Sequence, residues 1–343
     1  MHFVAFSRRC YGQEVSHLRA RTVYLAKKAG YAFITVLVVI VFNFLLFRVM
    51  PGDPARLLLP RGRAIDKSTI LSMREFYGLD KPIGTQLAIY IAQTLQLNFG
   101  YSFYYKAPVA GVIGASLPNT LVLVGVSEVI SILLGFYTGA IAGWKRGKPF
   151  DLISTSFGLV FWSMPTFWIG IVLIMTFSVW LGIFPVTGVR TIEMIHASLL
   201  QQIEDMGMHL VLPVITLTLV SYAEYLLIMR NSLMDVMTED FVLTARAKGL
   251  TEDQVLKDHV IPNALLPSIT TIALALSFIV GGALQTEIIF SYPGIGMLTW
   301  QALQFRDYAL LQGLFFIDAV LVVIANFAAD IIYTYVDPRV KLQ

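Results

Sequence analysis

Long apolar segments alternate with shorter polar ones along most of the chain. The first apolar segment, residues 29–47, has no charged residue and is long enough to cross the roughly 30 Å hydrocarbon core of a bilayer. Five further segments of spanning length follow, so the pattern predicts an all-α polytopic membrane protein with six transmembrane helices. The predicted spans are residues 29–47, 120–142, 152–181, 210–229, 264–286 and 308–335.

A cleaved signal peptide is the competing interpretation of the first apolar segment. The segment is too long for that role, and it leads into Pro51–Pro54 rather than into a small-residue cleavage site. We therefore expect a retained first span.

One long polar interruption, residues 231–262, lies between the fourth and fifth spans. Its first part predicts a short helix that stops at Gly249, because glycine favours the backbone conformation that ends helices. Thr251 and Gln254 have the spacing of a capping box, which predicts a second helix that Pro262 ends. Two capped helices at the membrane surface indicate a docking surface.

The alternative for this interruption is a solvated linker, because it also carries many charged residues. Docking is favoured because Phe241, Val242, Leu250 and Val255 supply apolar side chains for a groove in a partner. The charged residues that favour solvation include Glu239, Asp240, Arg246, Lys248, Glu252 and Asp253.

Composition agrees with a membrane protein. Of 343 residues, 57% are hydrophobic and 14% charged, whereas soluble domains carry about 25% charged residues. The net charge of +3 is too small to indicate nucleic-acid binding. Fourteen Lys and Arg lie in the N-terminal tail, the turn at 143–150, the interruption at 231–262 and the C-terminal tail, against one each in the loops 182–208 and 287–307. The positive-inside rule therefore places both termini in the cytoplasm.

These assignments divide the chain into five parts. Basic residues in the region between the first two spans do not oppose this orientation, because segments above about 60 residues cross membranes regardless of charge. The parts are a cytoplasmic N-terminal tail (1–28), a first transmembrane helix (29–49), a small extracytoplasmic domain (50–118), a core of five transmembrane helices that contains the cytoplasmic interruption (119–336), and a cytoplasmic tail (337–343).

Four carboxylates lie inside predicted spans, where a charge costs at least about 2.5 kcal/mol at the bilayer centre. Glu224 and Asp330 lie near cytoplasmic ends, so structural pairing is the favoured interpretation there. Glu128 and Asp318 lie deeper. Lining a water-filled path and fixing helix packing both remain open for these two.

Pro165 interrupts the long third span close to Trp162 and predicts a kink or tilt. A gating kink and a plain packing kink are the two interpretations. A gating kink would make Pro165 and Trp162 candidate pathway residues, whereas a packing kink is the more common case.

Several classes of function lack their sequence signatures. No G-x-x-x-x-G-K-[ST] phosphate loop, H-E-x-x-H zinc motif or G-x-S-x-G nucleophile elbow occurs, and Cys10 is the single cysteine. If nucleotide drives this protein, another chain must bind it. The spans also lack a histidine relay, unless His209 is counted, which disfavours a proton-coupled carrier.

Residues 240–250 and 259–267 closely resemble the EAA loop of ABC importer permeases, and more narrowly the dipeptide/oligopeptide permease family in its first-subunit form. The chain has Thr244-Ala245-Arg246 where the general motif has Glu-Ala-Ala. The resemblance extends over nearly all of the chain beyond residue 25. Further matching motifs are Pro51–Pro54, Leu117–Thr120, Glu287–Gly296 and Asp337–Arg339.

The resemblance implies a type I importer permease with the MetI-like fold, and not an enzyme. The expected partners are a second permease subunit in a heterodimer, two ABC ATPase subunits that bind ATP and Mg, an extracytoplasmic substrate-binding protein and membrane lipid. Peptides are the implied cargo, while relatives carry oligosaccharides or nickel; a secondary carrier is the alternative of another class. The residues implied to contact an ATPase groove are Asp240, Phe241, Thr244, Ala245, Arg246, Ala247, Lys248, Gly249, Leu250 and Val255.

Overall fold

The computed structural model describes residues 2–49, 67–76, 80–265 and 283–336, and these residues are almost entirely helical. Two strands of two residues each, Tyr101–Ser102 and Ala107–Pro108, pair in an antiparallel hairpin. The elements are α1 (His2–Val49), α2 (Lys67–Phe76), α3 (Ile83–Leu95), β1 (Tyr101–Ser102), β2 (Ala107–Pro108), α4 (Val109–Trp144), α5 (Pro149–Ser163), α6 (Thr166–Leu173), α7 (Leu199–Val236), α8 (Asp240–Ala247), α9 (Glu252–Gln254), α10 (Leu284–Ile289), α11 (Ile295–Gln304) and α12 (Tyr308–Val336), with π-helices at Ile174–Trp180 and Val255–Val260 and a 3₁₀-helix at Ile192–His196.

Four helices in the described ranges are long and apolar enough to cross a membrane, and a bent pair makes a fifth candidate. The four are Thr22–Arg48 within α1, then α4, α7 and Tyr308–Ile331 within α12. Most of the predicted fifth span falls on residues 266–282, outside the described part of the chain. The six-helix prediction therefore fits the observed helices.

The third span is the bent pair, and its bend is much sharper than a kink. α5 and α6 meet at 102°. Met164 is extended (φ −82°, ψ 141°), as expected for a residue before proline, and Pro165 is extended as well. Two consecutive extended residues break the helix, so the predicted continuous span 152–181 is corrected to two helical arms.

α4 and α7 pack against each other through a row of glycines on α4. Gly135, Gly139 and Gly143 recur every four residues and so occupy one face of the helix. A Cβ on Gly139 would lie only 2.5 Å from the Leu226 carbonyl oxygen. The absence of side chains here allows the two backbones to approach closely, as small residues do in membrane helix pairs.

Three predicted boundaries are wrong. The loop at 182–208 is shorter than expected because α7 begins at Leu199 with a capping box, and residues 287–307 form α10 and α11 instead of returning entirely to water. The second helix of the interruption continues past Pro262 to residue 265. Proline normally interrupts a helix because it lacks a backbone N–H. Here a π-helix at Val255–Val260 precedes the proline, and its wider turn changes the hydrogen-bond pattern at that point.

Candidate functional site

The polar interruption contains the two short helices that the sequence predicts. α8 ends at Ala247, and Gly249 then adopts φ +82°, a conformation that favours glycine. Thr251 caps the second helix by accepting a hydrogen bond from the Gln254 backbone N–H at 3.4 Å. The Gln254 side-chain oxygen accepts in return from the Thr251 N–H at 3.0 Å. We call residues 240–260 the platform.

The two helices of the platform are joined across their corner. Arg246 donates from Nε and Nη2 to the two carboxylate oxygens of Glu252, at 3.0 and 3.1 Å. Both side chains are exposed, so the pair adds little stability but restrains the angle between the helices.

One face of the platform is anchored to the spans. Val242 and Val255 are fully buried, and Ala245 is nearly so. They pack with Met229 and Leu233 of α7 in one apolar cluster. Since Val242, Ala245 and Val255 face the spans, they do not offer side chains to a partner, contrary to the sequence interpretation.

The opposite face of the platform is exposed and contains an apolar residue that the sequence interpretation omitted. Leu243 has 69% of its surface exposed, and Phe241 beside it is also exposed. Leu250 is partly buried against the anchoring cluster. The remaining predicted contact residues that are exposed are Asp240, Thr244, Arg246, Ala247, Lys248 and Gly249.

The candidate pathway residues do not form one cluster. Glu128 of α4 is half-buried and accepts a hydrogen bond from the Tyr225 hydroxyl of α7. Asp318 of α12 has a buried Oδ1 with no hydrogen-bond partner among the described residues. Trp162 is exposed on the last turn of α5, and Pro165 lies in the bend. In the described part of the chain, no hydrogen bond or ion pair joins any two of these four residues.

The other two carboxylates in the spans differ from each other. Asp330 forms an ion pair with Lys28, whose Nζ lies 2.9 Å from Oδ1, and this confirms the predicted structural pairing. Glu224 is exposed on α7. Within the described ranges, no group of His, Cys, Asp and Glu has the arrangement of a metal site.

The sequence pattern places Glu287 in a water-facing loop. In the structure its carboxylate is buried beside Thr120 of α4. Glu287 is 0% exposed and accepts the Thr120 hydroxyl at 2.7 Å and the Met297 N–H at 2.9 Å. The Thr120 oxygen accepts the Ile295 N–H at 2.7 Å. A Cβ on Gly294 would overlap the Glu287 carboxylate. We call this set of contacts the Glu287 clasp.

The Glu287 clasp joins α4 to the Tyr292–Gly294 turn and to the first turn of α11. Backbone N–H groups at a helix N-terminus stabilise a carboxylate without needing a cation. Burial, and then the charge of Glu287, raise the pKa of Tyr292 in this turn to about 12, so its phenol stays protonated at neutral pH. The sequence contains no local signal for the clasp, because Thr120 and Glu287 are 167 positions apart in the chain.

An open cavity of about 540 Å³ lies beside the clasp. Its walls are the first turns of α4 and the stretch from Ser291 to Gln301. Tyr105, after the hairpin's first strand, hydrogen-bonds Gln301 at one edge, and burial raises the pKa of Tyr105. The described residues that line the cavity include no charged side chain.

Family models match nearly the whole chain. Residues 131–342 match "Binding-protein-dependent transport system inner membrane component", and residues 22–124 match the corresponding N-terminal model of membrane components. The chain belongs to this family. Its members are membrane permease subunits of ABC importers, which implies ATPase partners and a substrate-binding protein.

Individual relatives of this permease agree with the family models. The oligopeptide transport system permease protein AppB of Bacillus subtilis is 34% identical over 93% of this chain and 99% of its own length. The di/tripeptide transport system permease protein DppB of Pseudomonas aeruginosa is also 34% identical, with the same coverage. An inward-facing structure of the MetNI methionine ABC transporter is 19% identical, covers 66% of this chain and 96% of its own, and gives a TM-score of 0.52, which supports the MetI-like fold.

Proposed function

We propose that this permease forms part of the translocation path for di- and oligopeptides in an ATP-driven importer, and that the platform couples it to the ATPase. The proposal rests on the difference between the two faces of the platform. Its inner face is packed into the span cluster, while its outer face exposes Phe241 and Leu243. Peptides are the proposed cargo because the relatives AppB and DppB are named for oligopeptide and di/tripeptide transport.

The exposed face of the platform docks in a groove of the ATPase. Phe241 and Leu243 supply the apolar contacts, and the Arg246 side chain holds the two helices at a fixed angle for them. When the ATPase subunits close on ATP, the platform is displaced with them. Since α7 runs without a break into residue 236, a displacement at its cytoplasmic end moves the helix as a unit. This motion alternates the path between inward-facing and outward-facing states.

The full importer contains a second, different permease subunit, two ATPase subunits and an extracytoplasmic binding protein that delivers the peptide. ATP and Mg bind to the ATPase subunits, and this chain has no ATPase site of its own. Both of its termini face the cytoplasm of a cell whose inner membrane it spans. Glu128 and Asp318 line the path, and the bend at Pro165 beside Trp162 changes shape during transport.

Reconstitution tests the proposed activity. The permease pair, the ATPase subunits and the binding protein are placed in proteoliposomes, and uptake of labelled dipeptides, tripeptides and longer peptides is measured. We expect uptake that needs both ATP and the binding protein. Uptake driven by an ion gradient without ATP would show a secondary carrier instead, and uptake of nickel or oligosaccharides but not peptides would refute the proposed cargo.

Leu243→Asp tests the docking face. It places a charge on the exposed side of the platform, so ATP-dependent uptake should fall at least about tenfold while membrane abundance stays normal. Leu243→Met is the matched control because it keeps an apolar side chain of similar volume, and it should transport normally. Normal uptake by Leu243→Asp would place the ATPase contact elsewhere.

A further inference from the structure

A buried ion pair joins the cytoplasmic ends of α5 and α7. Asp151 is 4% exposed and lies in the first turn of α5. Arg230 of α7 donates from Nε to Oδ1 at 2.5 Å and from Nη2 to Oδ2 at 2.9 Å. This two-point geometry fixes both the distance and the relative orientation of the groups. We call it the Asp151–Arg230 clamp.

The same carboxylate also holds the turn between the second and third spans. The Gly147 N–H donates to Asp151 Oδ2 at 2.9 Å, and Gly147 has φ +75°, a conformation that few other residues adopt readily. Thr155, one turn further along α5, donates to Oδ1 at 3.3 Å. The clamp therefore connects three pieces of backbone: the turn, the start of α5 and the end of α7.

The position of Arg230 links the clamp to the platform. Arg230 is followed directly by the interruption at residue 231, within the same uninterrupted helix. The Ser232 hydroxyl donates to the Ala264 carbonyl at 2.7 Å, which joins the start of the interruption to the helical residues that follow it. Met229 and Leu233, on either side of Arg230, lie in the apolar cluster that anchors the platform.

Further contacts between α5 and α7 are apolar. A Cβ on Gly158 would lie 3.2 Å from the Ala223 Cβ, and the Phe157 and Tyr222 rings meet edge to face at 6.1 Å. Burial of apolar surface is largely non-directional, so these contacts specify the axial register less tightly than a two-point ion pair does. The clamp thus fixes the axial register of α5 on α7.

We propose that Asp151 and Arg230 are positioning residues that carry the displacement of the platform into the bent third span. When the platform moves, α7 moves with it, and the clamp makes α5 follow. The displacement then reaches the 102° bend at the far end of α5. This inference rests on the proposed function, since it requires that an ATPase move the platform.

A distance measurement on the assembled transporter tests the clamp without any substrate. Spin labels are attached at Ile153→Cys on α5 and Ile203→Cys on α7, two exposed positions, after Cys10→Ser removes the native thiol. Pulsed electron paramagnetic resonance measures the distance between the two labels in two states. The first state has no nucleotide, and the second has ATP bound to hydrolysis-deficient ATPase subunits. With the clamp intact, we expect the same distance in both states because the helices move together.

Asp151→Asn removes the charge and should let α7 move without α5. We expect the distance peak to shift on ATP binding in this variant alone. Peptide transported per ATP hydrolysed should fall at least about fivefold, the low end of ordinary coupling between sites. A purely structural role would lower abundance, uptake and hydrolysis together and leave that ratio unchanged. An unshifted distance and an unchanged ratio would overturn the proposal.

Two further variants keep the test decisive. Arg230→Lys retains the charge but loses the two-point contact, so the distance between the labels should shift less than in Asp151→Asn. This variant replaces Asp151→Asn if Asp151→Asn does not accumulate in the membrane. Asp330→Asn breaks an ion pair between α1 and α12, and should change neither the distance nor the ratio. If the clamp-intact transporter hydrolyses ATP but takes up no peptide, the proposed cargo fails, while the distance measurement still decides the clamp.

Discussion

Adding one methyl group to the glycine row of α4 should separate it from α7. In Gly139→Ala, the new Cβ would meet the Leu226 carbonyl oxygen at 2.5 Å and the Met229 Cβ at 3.1 Å. Ordinary van der Waals contacts of a Cβ lie at about 3.4–4 Å, so the helices must part by most of an ångström. The contact atom on α7 is backbone, which cannot rotate away.

The expected loss is about 1–3 kcal/mol of stability, the usual cost of overpacking a well-packed contact. Gly125→Ala is the matched control on the same helix. A Cβ at Gly125 meets nothing within 4 Å, and alanine gains up to about 1 kcal/mol over glycine in a helix. The two identical substitutions should therefore change stability in opposite directions.

Thermal unfolding of the purified transporter in detergent measures both variants. Gly139→Ala should lower the midpoint, and Gly125→Ala should leave it unchanged or raise it slightly. Equal midpoints would mean that α4 and α7 do not pack through this row. An equal decrease in both variants would show that the substitutions act through the helix backbone rather than through the contact.

Further variants test the Glu287 clasp and the platform. Thr120→Val should lower stability by about 1–3 kcal/mol, because the Glu287 carboxylate and the Ile295 N–H lose the hydroxyl that they share. Thr120→Ser keeps a hydroxyl and should retain most of the stability. Comparing the thermal unfolding midpoints of the two variants tests this. Thr251→Ala should cost about 1 kcal/mol of helix stability, so limited proteolysis should cut the platform faster, and equal rates would contradict the cap.

Local chemistry explains which parts of the fold were predictable. The stop at Gly249 and the cap at Thr251 depend on residues within a few positions, and the structure contains both. A kink at Pro165 was also predicted, because proline constrains itself and its predecessor, but the complete break of the helix was not. Its 102° angle was not evident, since neighbouring helices decide how far two extended residues turn the chain.

Features that depend on distant partners escaped the sequence interpretation. Burial of Glu287 requires Thr120 and the N-terminus of α11, so its charge alone suggested water. The choice between the two faces of the platform depends on the α7 cluster, which buries Val242 and leaves Leu243 outside. A local pattern of apolar residues cannot distinguish a face that anchors from a face that docks.

The sharp bend also has a consequence for the surrounding lipid. α5 has 15 residues and, at about 1.5 Å per residue, is about 22 Å long, short of the roughly 30 Å of hydrocarbon that a full crossing requires. Because α6 leaves at 102°, it adds little further depth. A short crossing is accommodated by local thinning of the bilayer or by neighbouring protein. Because the neighbouring helices α4 and α7 have 36 and 38 residues, protein rather than a thinner bilayer should cover the missing depth beside α5.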